Sequence, residues 1–285
     1  MLNRIDLADI HAPKRLAGMV LDMLGPLDGA VPVVQVAEAL DISAVRIDRF
    51  DGFEGMLLTD RRRTDGVILA NTRRGDRRAR FTVAHELGHF LMERHVPSDE
   101  GGFRCMAFDM RERRKAEWHY RQEAEANRFA IELLAPAHLA VPLLVDPPDL
   151  RQALSMRDLL DLSLEACVRR QIELADQTLA AIWSHEGRVR YPVRSRAFPF
   201  LTCQKGHALP KGTAGFRAIQ KGERGITRMT ETSAIAWTNN PEIEIWEQTR
   251  IGKNGHAVTL LWADMPDEGD DNGDSHRELG MPTFR

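Results

Sequence analysis

The string His85-Glu86-Leu87-Gly88-His89 constrains this chain more than any other part of it. It sits within residues 79–93, where Phe81, Ala84, Leu87 and Leu91 recur at three- and four-residue spacing, which predicts a helix. Residues four apart on a helix project from one face, one turn apart, so both imidazoles point the same way. The flanking Val83 and Phe90 are apolar, so the helix should be largely buried, and buried polar groups need partners. Two imidazoles at this spacing can each offer a nitrogen to one metal ion at about 2.0–2.1 Å. Glu86 lies about 100° round the helix, placed to take a proton from water without being a ligand. Gly inside a helix costs about 1 kcal/mol relative to Ala, so Gly88 points to a close approach by another element.

A catalytic zinc takes three protein ligands and keeps one position open. The next strong helical pattern covers about residues 117–134 and stops at Pro136. Glu123 and Asn127 share one face of it, and Ala130 and Leu134 continue the stripe. Alanines at 124, 126 and 130 allow this helix to approach the first one closely. Glu123 is therefore the favoured third ligand, and Asn127 is expected to hydrogen-bond a ligand histidine. Glu125 projects to another side and reads as a solvated residue. His95, His119 and His138 read as incidental, and Cys105 as an ordinary free cysteine.

FTVAHELGHFLMERH followed by EAEANRFAIELLAP resembles the ImmA/IrrE family of zinc metallopeptidases. The resemblance covers about residues 33–136. It implies zinc held by His85, His89 and Glu123, with Glu86 as the catalytic base. It also implies a thermolysin-like zincin core and a helix-turn-helix repressor as substrate, cleaved in a stress or mobile-element response. Mn²⁺ or Fe²⁺ fits the same donors. Tyr120, three residues before Glu123, is a candidate to polarise the scissile carbonyl, with a packing or surface role as its alternative. Residues 52–59 and 66–71 read as a β-hairpin. Gly66, Val67, Ile68, Leu69, Ala70 and Asn71 feed towards the catalytic helix and are the expected edge strand for an extended substrate.

The expected fold class is α+β. A peptidase core with a small antiparallel sheet occupies residues 1–136, and a helical, helix-turn-helix-like segment occupies 137–184. A separate β-rich or α+β module, similar to GAF sensory domains, follows at 185–263, and an acidic tail at 264–285 is expected to be disordered. Within the helical segment, Ser155 is the expected start of one helix and Ser163 the cap of the next. Residues 61–80 hold eight Arg, read as a solvated loop or a dock for an acidic partner.

Composition removes other classes. The net charge of −3 argues against nucleic-acid binding through bulk charge. No apolar run reaches the roughly 18 residues of a membrane span, and the N-terminus lacks the apolar core of a secretion signal, so a cytoplasmic protein is expected. Three scattered cysteines without a C-x-x-C pair leave His and carboxylate as the metal donors. A zinc-dependent endopeptidase is the leading expectation. A DNA-binding or ligand-sensing transcription regulator is the alternative.

Overall fold

The computed structural model describes residues 2–97, 102–105 and 116–264. In chain order the elements are α1 (Pro13–Leu24), α2 (Val33–Ala39), β1 (Ile42–Asp48), β2 (Gly55–Thr59), β3 (Gly66–Asn71), α3 (Asp76–Leu91), β4 (Gly102–Cys105) and α4 (Ala116–Leu134). Next come α5 (Ala137–Ala140), α6 (Leu150–Leu160), α7 (Leu164–Leu174), β5 (Thr178–His185) and β6 (Arg188–Arg194). The last are α8 (Ala214–Gln220), β7 (Gly225–Ile226), β8 (Thr230–Thr232), β9 (Glu244–Ile251) and β10 (His256–Asp264). The class is α+β, with two sheets. The acidic tail from residue 265 onward and the Cys105 side chain lie outside the described part.

The first sheet has the order β1-β3-β2-β4. β2 pairs antiparallel with β3 and β4, whereas β1 pairs parallel with β3, from Ile42 opposite Gly66 to Asp48 opposite Asn71. The sheet is therefore mixed, not antiparallel, because the hairpin folds back to insert β3 between β1 and β2. This corrects the expected edge strand. Gly66, Val67, Ile68, Leu69, Ala70 and Asn71 form an interior strand paired on both sides, and Gly66, Ile68, Ala70 and Asn71 are buried. Among the described residues the sheet ends instead at β1 and β4.

α3 lies against β2, β3 and α4, and every residue from Thr82 to Leu91 is buried. Gly88 sits where α3 meets α4. A Cβ there would lie 2.9 Å from the Phe129 ring, closer than packed carbons tolerate, and 3.4 Å from Ala126 Cα. The close approach inferred from this glycine is thus made by α4. α4 buries Ala126, Phe129, Ala130, Leu133 and Leu134, and α1 packs against it as well.

The middle helices start differently from expectation. Asp149, not Ser155, caps α6, its carboxylate accepting from Arg151 N at 2.6 Å, which leaves Ser155 inside the helix. An Asp in extended conformation just after two prolines supplies the stronger stop and start signal. Ser163 caps α7 as expected, accepting from Ala166 N at 3.2 Å. α7 ends at Leu174 and β5 begins at Thr178, so strand structure starts ahead of residue 185.

The second sheet runs β6-β5-β10-β9-β7, with β8 also on β9. Strand alternation splits it between two cores. Leu179, Ala181, Val258 and Leu260 join the core that includes Cys167, Val168 and Ile172 of α7 and the buried residues of α1–α4. Ala180, Ile182, Leu261 and Ala263 join a second core with Trp237 and Phe198. The C-terminal part is thus not packed apart from the rest. Buried polar groups stitch it on: Gln248 of β9 accepts from Leu150 N at 2.7 Å and donates to Asp149 at 3.0 Å.

The α6–α7 pair does not present a free recognition helix. Arg170 of α7 is buried, with Nη2 2.7 Å from Glu132 Oε2 on α4 and Nε donating to Ala135 O at 2.9 Å. Arg169 lies over the Trp183 and Tyr191 rings. Burial raises the proton affinity of Glu132, but hydrogen bonding and charge from Arg170 outweigh it and hold the carboxyl below its usual 4.5. Glu132→Gln breaks a buried pair, so a loss of about 3–5 kcal/mol in chemical denaturation is expected at neutral pH. The folded value lies below the unfolded one, so the pair's contribution is complete above about pH 4.5 and fades as pH falls. The gap between wild type and variant should therefore narrow in acid; a gap that stays constant with pH would contradict the pairing.

Candidate metal centre

α3 and α4 bring His85, His89 and Glu123 together. His85 Nε2 and His89 Nε2 are 3.1 Å apart, and Glu123 Oε2 and Oε1 lie 3.2 Å from His85 Nε2 and His89 Nε2 respectively. An ion bound tetrahedrally at about 2.0–2.1 Å would hold its ligand atoms roughly 3.3–3.4 Å apart. Each of the three contacts is within a few tenths of an ångström of that spacing, the carboxylate meeting the two imidazoles through different oxygens. Two imidazole nitrogens and a carboxylate turned towards one point carry converging lone pairs, which a cation between them would stabilise. The donor set suits zinc, and also manganese or iron.

Burial and pairing set the protonation of the three groups in different directions. Burial pushes His89 down to about 3, against its hydrogen bond to the Glu123 carboxylate, so its imidazole is neutral at pH 7. Burial also lowers His85, but the Glu123 hydrogen bond and the charges of Glu86 and Glu123 outweigh it, and His85 is raised. Glu123 is held well below the usual carboxylate range, its burial outweighed by hydrogen bonds with both histidines.

The expected neighbours are in place. Asn127 Oδ1 lies 3.1 Å from His85 Nδ1, the nitrogen turned away from the triangle. Glu86 is fully buried on α3 between His85 and Leu87, and β2 leaves room for it through Gly55. A Cβ on Gly55 would stand 2.3 Å from Glu86 Oε1 and 2.4 Å from Thr82 Cγ2. Tyr120 sits one turn before Glu123 on α4 and is 39 % exposed. His119 is half-buried and His138 exposed, both outside the cluster.

Two expectations change. His95, read as incidental, is buried, with Nδ1 2.9 Å from His89 Nδ1 and Nε2 3.1 Å from Glu125 Oε2. Glu125, read as solvated, is mostly covered and pairs also with Arg94 at 2.8 Å and Arg121 at 3.0 Å. α3 ends at Leu91, and the chain turns back so that His95 returns to His89. No helical spacing announces that reversal.

The Arg-rich stretch is mostly engaged within the molecule. Arg63 is buried, donating to His89 O at 2.9 Å, Phe90 O at 3.0 Å and Met92 O at 2.7 Å, and also to His95 O. The first three of these carbonyls lie at the end of α3, where a helix leaves acceptors unsatisfied and favours positive charge. Burial lowers Arg63 to about 10, so it stays charged at neutral pH. Arg74 and Arg78 pair with Glu54, and Arg77 pairs with Asp158 and Asp161.

Residues 37–146 match the family model of the IrrE N-terminal-like domain, a peptidase family. Over this segment the chain is similar to the ImmA/IrrE peptidase family. The IrrE-like domain contains α3 and α4, and with them every member of the His85–His89–Glu123 cluster. Over 92 % of its length the chain is similar in structure to a Mycobacterium tuberculosis transcriptional regulator. The identity is 17 %, the TM-score is 0.57, and the likeness covers 80 % of that chain. That likeness shows a shared fold, and it reaches beyond the IrrE-like domain. No protein of curated function matches the sequence.

Proposed function

We propose that this chain is a zinc-dependent endopeptidase acting on a protein substrate. The observation that carries this is the triangle of His85, His89 and Glu123, with Glu86 buried beside it on the same helix. Zinc, when bound, polarises the scissile carbonyl and brings the pKa of a water towards about 7. His85, His89 and Glu123 are its ligands. Glu86 takes the proton of the attacking water as that water adds to the carbonyl carbon. It then delivers the proton to the amine as the C–N bond breaks, leaving a carboxylic acid and a free amine. Asn127 holds His85 in position, and Tyr120 supports the carbonyl oxygen from the rim of the site.

With β3 interior, the strand for an extended substrate becomes β4. It stands at the sheet edge as described, and its Phe103 stacks on His89 with ring centroids 4.7 Å apart. A peptide added alongside β4 would run past the cluster. A proline at Ile68 would now break pairing on both sides of β3, so it tests sheet integrity and not substrate docking.

Gly55 offers a milder test of Glu86. Gly55→Ala is expected to displace the carboxylate while leaving the ligands alone. A displacement of 1 Å can cost about 10²-fold in rate. Turnover should fall by that order with metal content unchanged, and unchanged turnover would show that Glu86 is not held by this contact.

The substrate we infer is a helix-turn-helix repressor, supported by the family resemblance and by a structural neighbour described as a transcriptional regulator. The C-terminal sheet is assigned a regulatory part on the same resemblance, and the Glu132–Arg170 pair links α7 to the helix carrying Glu123. Co-expression with a helix-turn-helix protein encoded next to this chain, followed by mass spectrometry, tests the substrate. One defined cut with wild type and none with Glu86→Gln is expected. An intact partner in both would remove the repressor from the proposal. The reading as a DNA-binding regulator is not favoured, because Arg169 and Arg170 are already engaged.

A further inference from the structure

His95 and Glu125 have no part in the chemistry above, yet they form a continuous chain to a ligand. Glu125 Oε2 is 3.1 Å from His95 Nε2, and His95 Nδ1 is 2.9 Å from His89 Nδ1. The chain is anchored throughout. Arg94 and Arg121 hold Glu125, while the His95 backbone N–H donates to Met92 O at 2.9 Å and its carbonyl accepts from Arg63. Phe103 stacks on one face of His89.

With neutral imidazoles, and a cation instead of a proton between His89 Nε2 and Glu123, hydrogen-bond polarity along this chain has one consistent solution. A carboxylate only accepts, so His95 carries its proton on Nε2. Its Nδ1 then holds a lone pair and accepts. His89 must donate to it from Nδ1–H, which leaves the lone pair of His89 on Nε2, the nitrogen that faces Glu123 and His85. If His95 were turned or removed, His89 would be free to place its proton on Nε2 and block its own donor atom. His85 is oriented by one amide oxygen, from Asn127. For His89, the same task falls to a carboxylate acting through a second imidazole.

We propose that Glu125 and His95 are positioning residues that fix the tautomer of His89 and aim its Nε2 at the metal. This rests on the metal-site reading above. Outer partners of metal-bound histidines typically contribute about 10–100-fold to metal affinity, and a loss of that size is expected when this chain is cut.

The test uses the full-length protein and zinc affinity measured by competition with a chromophoric chelator. His95→Leu, which keeps bulk and removes the acceptor, should weaken zinc binding by about 10–100-fold. His95→Asn, whose side-chain oxygen can stand in for Nδ1, should recover most of that loss. Packing alone would predict the reverse, since Leu is the bulkier substitute. Long-range ¹H–¹⁵N correlation on ¹⁵N-histidine-labelled, zinc-loaded protein should show His95 protonated on Nε2 and His89 on Nδ1. If His95→Leu fails to fold, Glu125→Ala carries the same test from a position nearer the surface, with a weaker zinc site expected. Unchanged affinity in a folded variant, or a proton on His95 Nδ1, would overturn the proposal. Wild-type protein that binds no zinc would defeat the metal-site reading itself, a result distinct from either of these.

Discussion

Glu86→Gln is expected to keep the metal and lose peptide-bond hydrolysis. Gln has almost the shape of Glu, and the site around residue 86 is closed, so the substitution preserves packing. It removes the group that accepts and returns a proton. General acid–base groups typically contribute about 10²–10⁴-fold in rate, and a fall of that size in single-turnover cleavage is the expected result. The comparison is valid only at equal metal content, because Glu86 is assigned no ligand role. A variant that retained wild-type turnover would remove Glu86 from the mechanism. A variant that lost its metal would mean Glu86 belongs to the ligand set.

Glu123→Ala is expected to empty the site while the fold survives. Glu123 is the only charged ligand, and it comes from a different helix from the two histidines. It sits at the front of the cluster, not in the core that joins α3 to α4 through Gly88, Ala126 and Phe129. Alanine also has the highest helix propensity, so α4 itself should not suffer. Loss of an outer partner weakens a metal site by about 10–100-fold, and loss of a ligand must exceed that. The expected order of zinc affinity is wild type, then Asn127→Ala, then Glu123→Ala. His85→Ala should group with Glu123→Ala. If Asn127→Ala proved worse than Glu123→Ala, the assignment of ligand and supporting residue would have to be exchanged.

Much of this centre is legible in the sequence because its key spacings lie within helices. His85 and His89 share a face by the geometry of one helix, and Glu123 and Asn127 share a face of the next. The alanine pattern of α4 and the glycine at 88 show that the two helices meet, and the ring of Phe129 occupies the space a Cβ on Gly88 would need. What escapes is set by where the chain turns between elements. Nothing in residues 42–71 says that β3 enters between β1 and β2, and one change of strand order converts an expected edge into an interior strand.

His95 and Arg63 escape for the same reason. His95 follows the end of α3 and reaches His89 only because the chain doubles back, held by Arg63 from the β2–β3 loop. In sequence, Arg63 is one of eight arginines in a charged stretch. In the fold it is buried against the last carbonyls of α3. Glu125 looks solvated because its helical angle differs from that of Glu123. The angle is as expected, but His95 and Arg94 come round to cover it.

Metal stoichiometry tests the central assignment most directly. Wild type and the Glu86→Gln, His85→Ala and Glu123→Ala variants would be incubated with zinc, freed of excess by gel filtration and assayed by elemental mass spectrometry. One equivalent of zinc is predicted in wild type and in Glu86→Gln, with essentially none in His85→Ala and Glu123→Ala. Wild type emerging without metal, or Glu123→Ala retaining a full equivalent, would contradict a metal centre built from His85, His89 and Glu123.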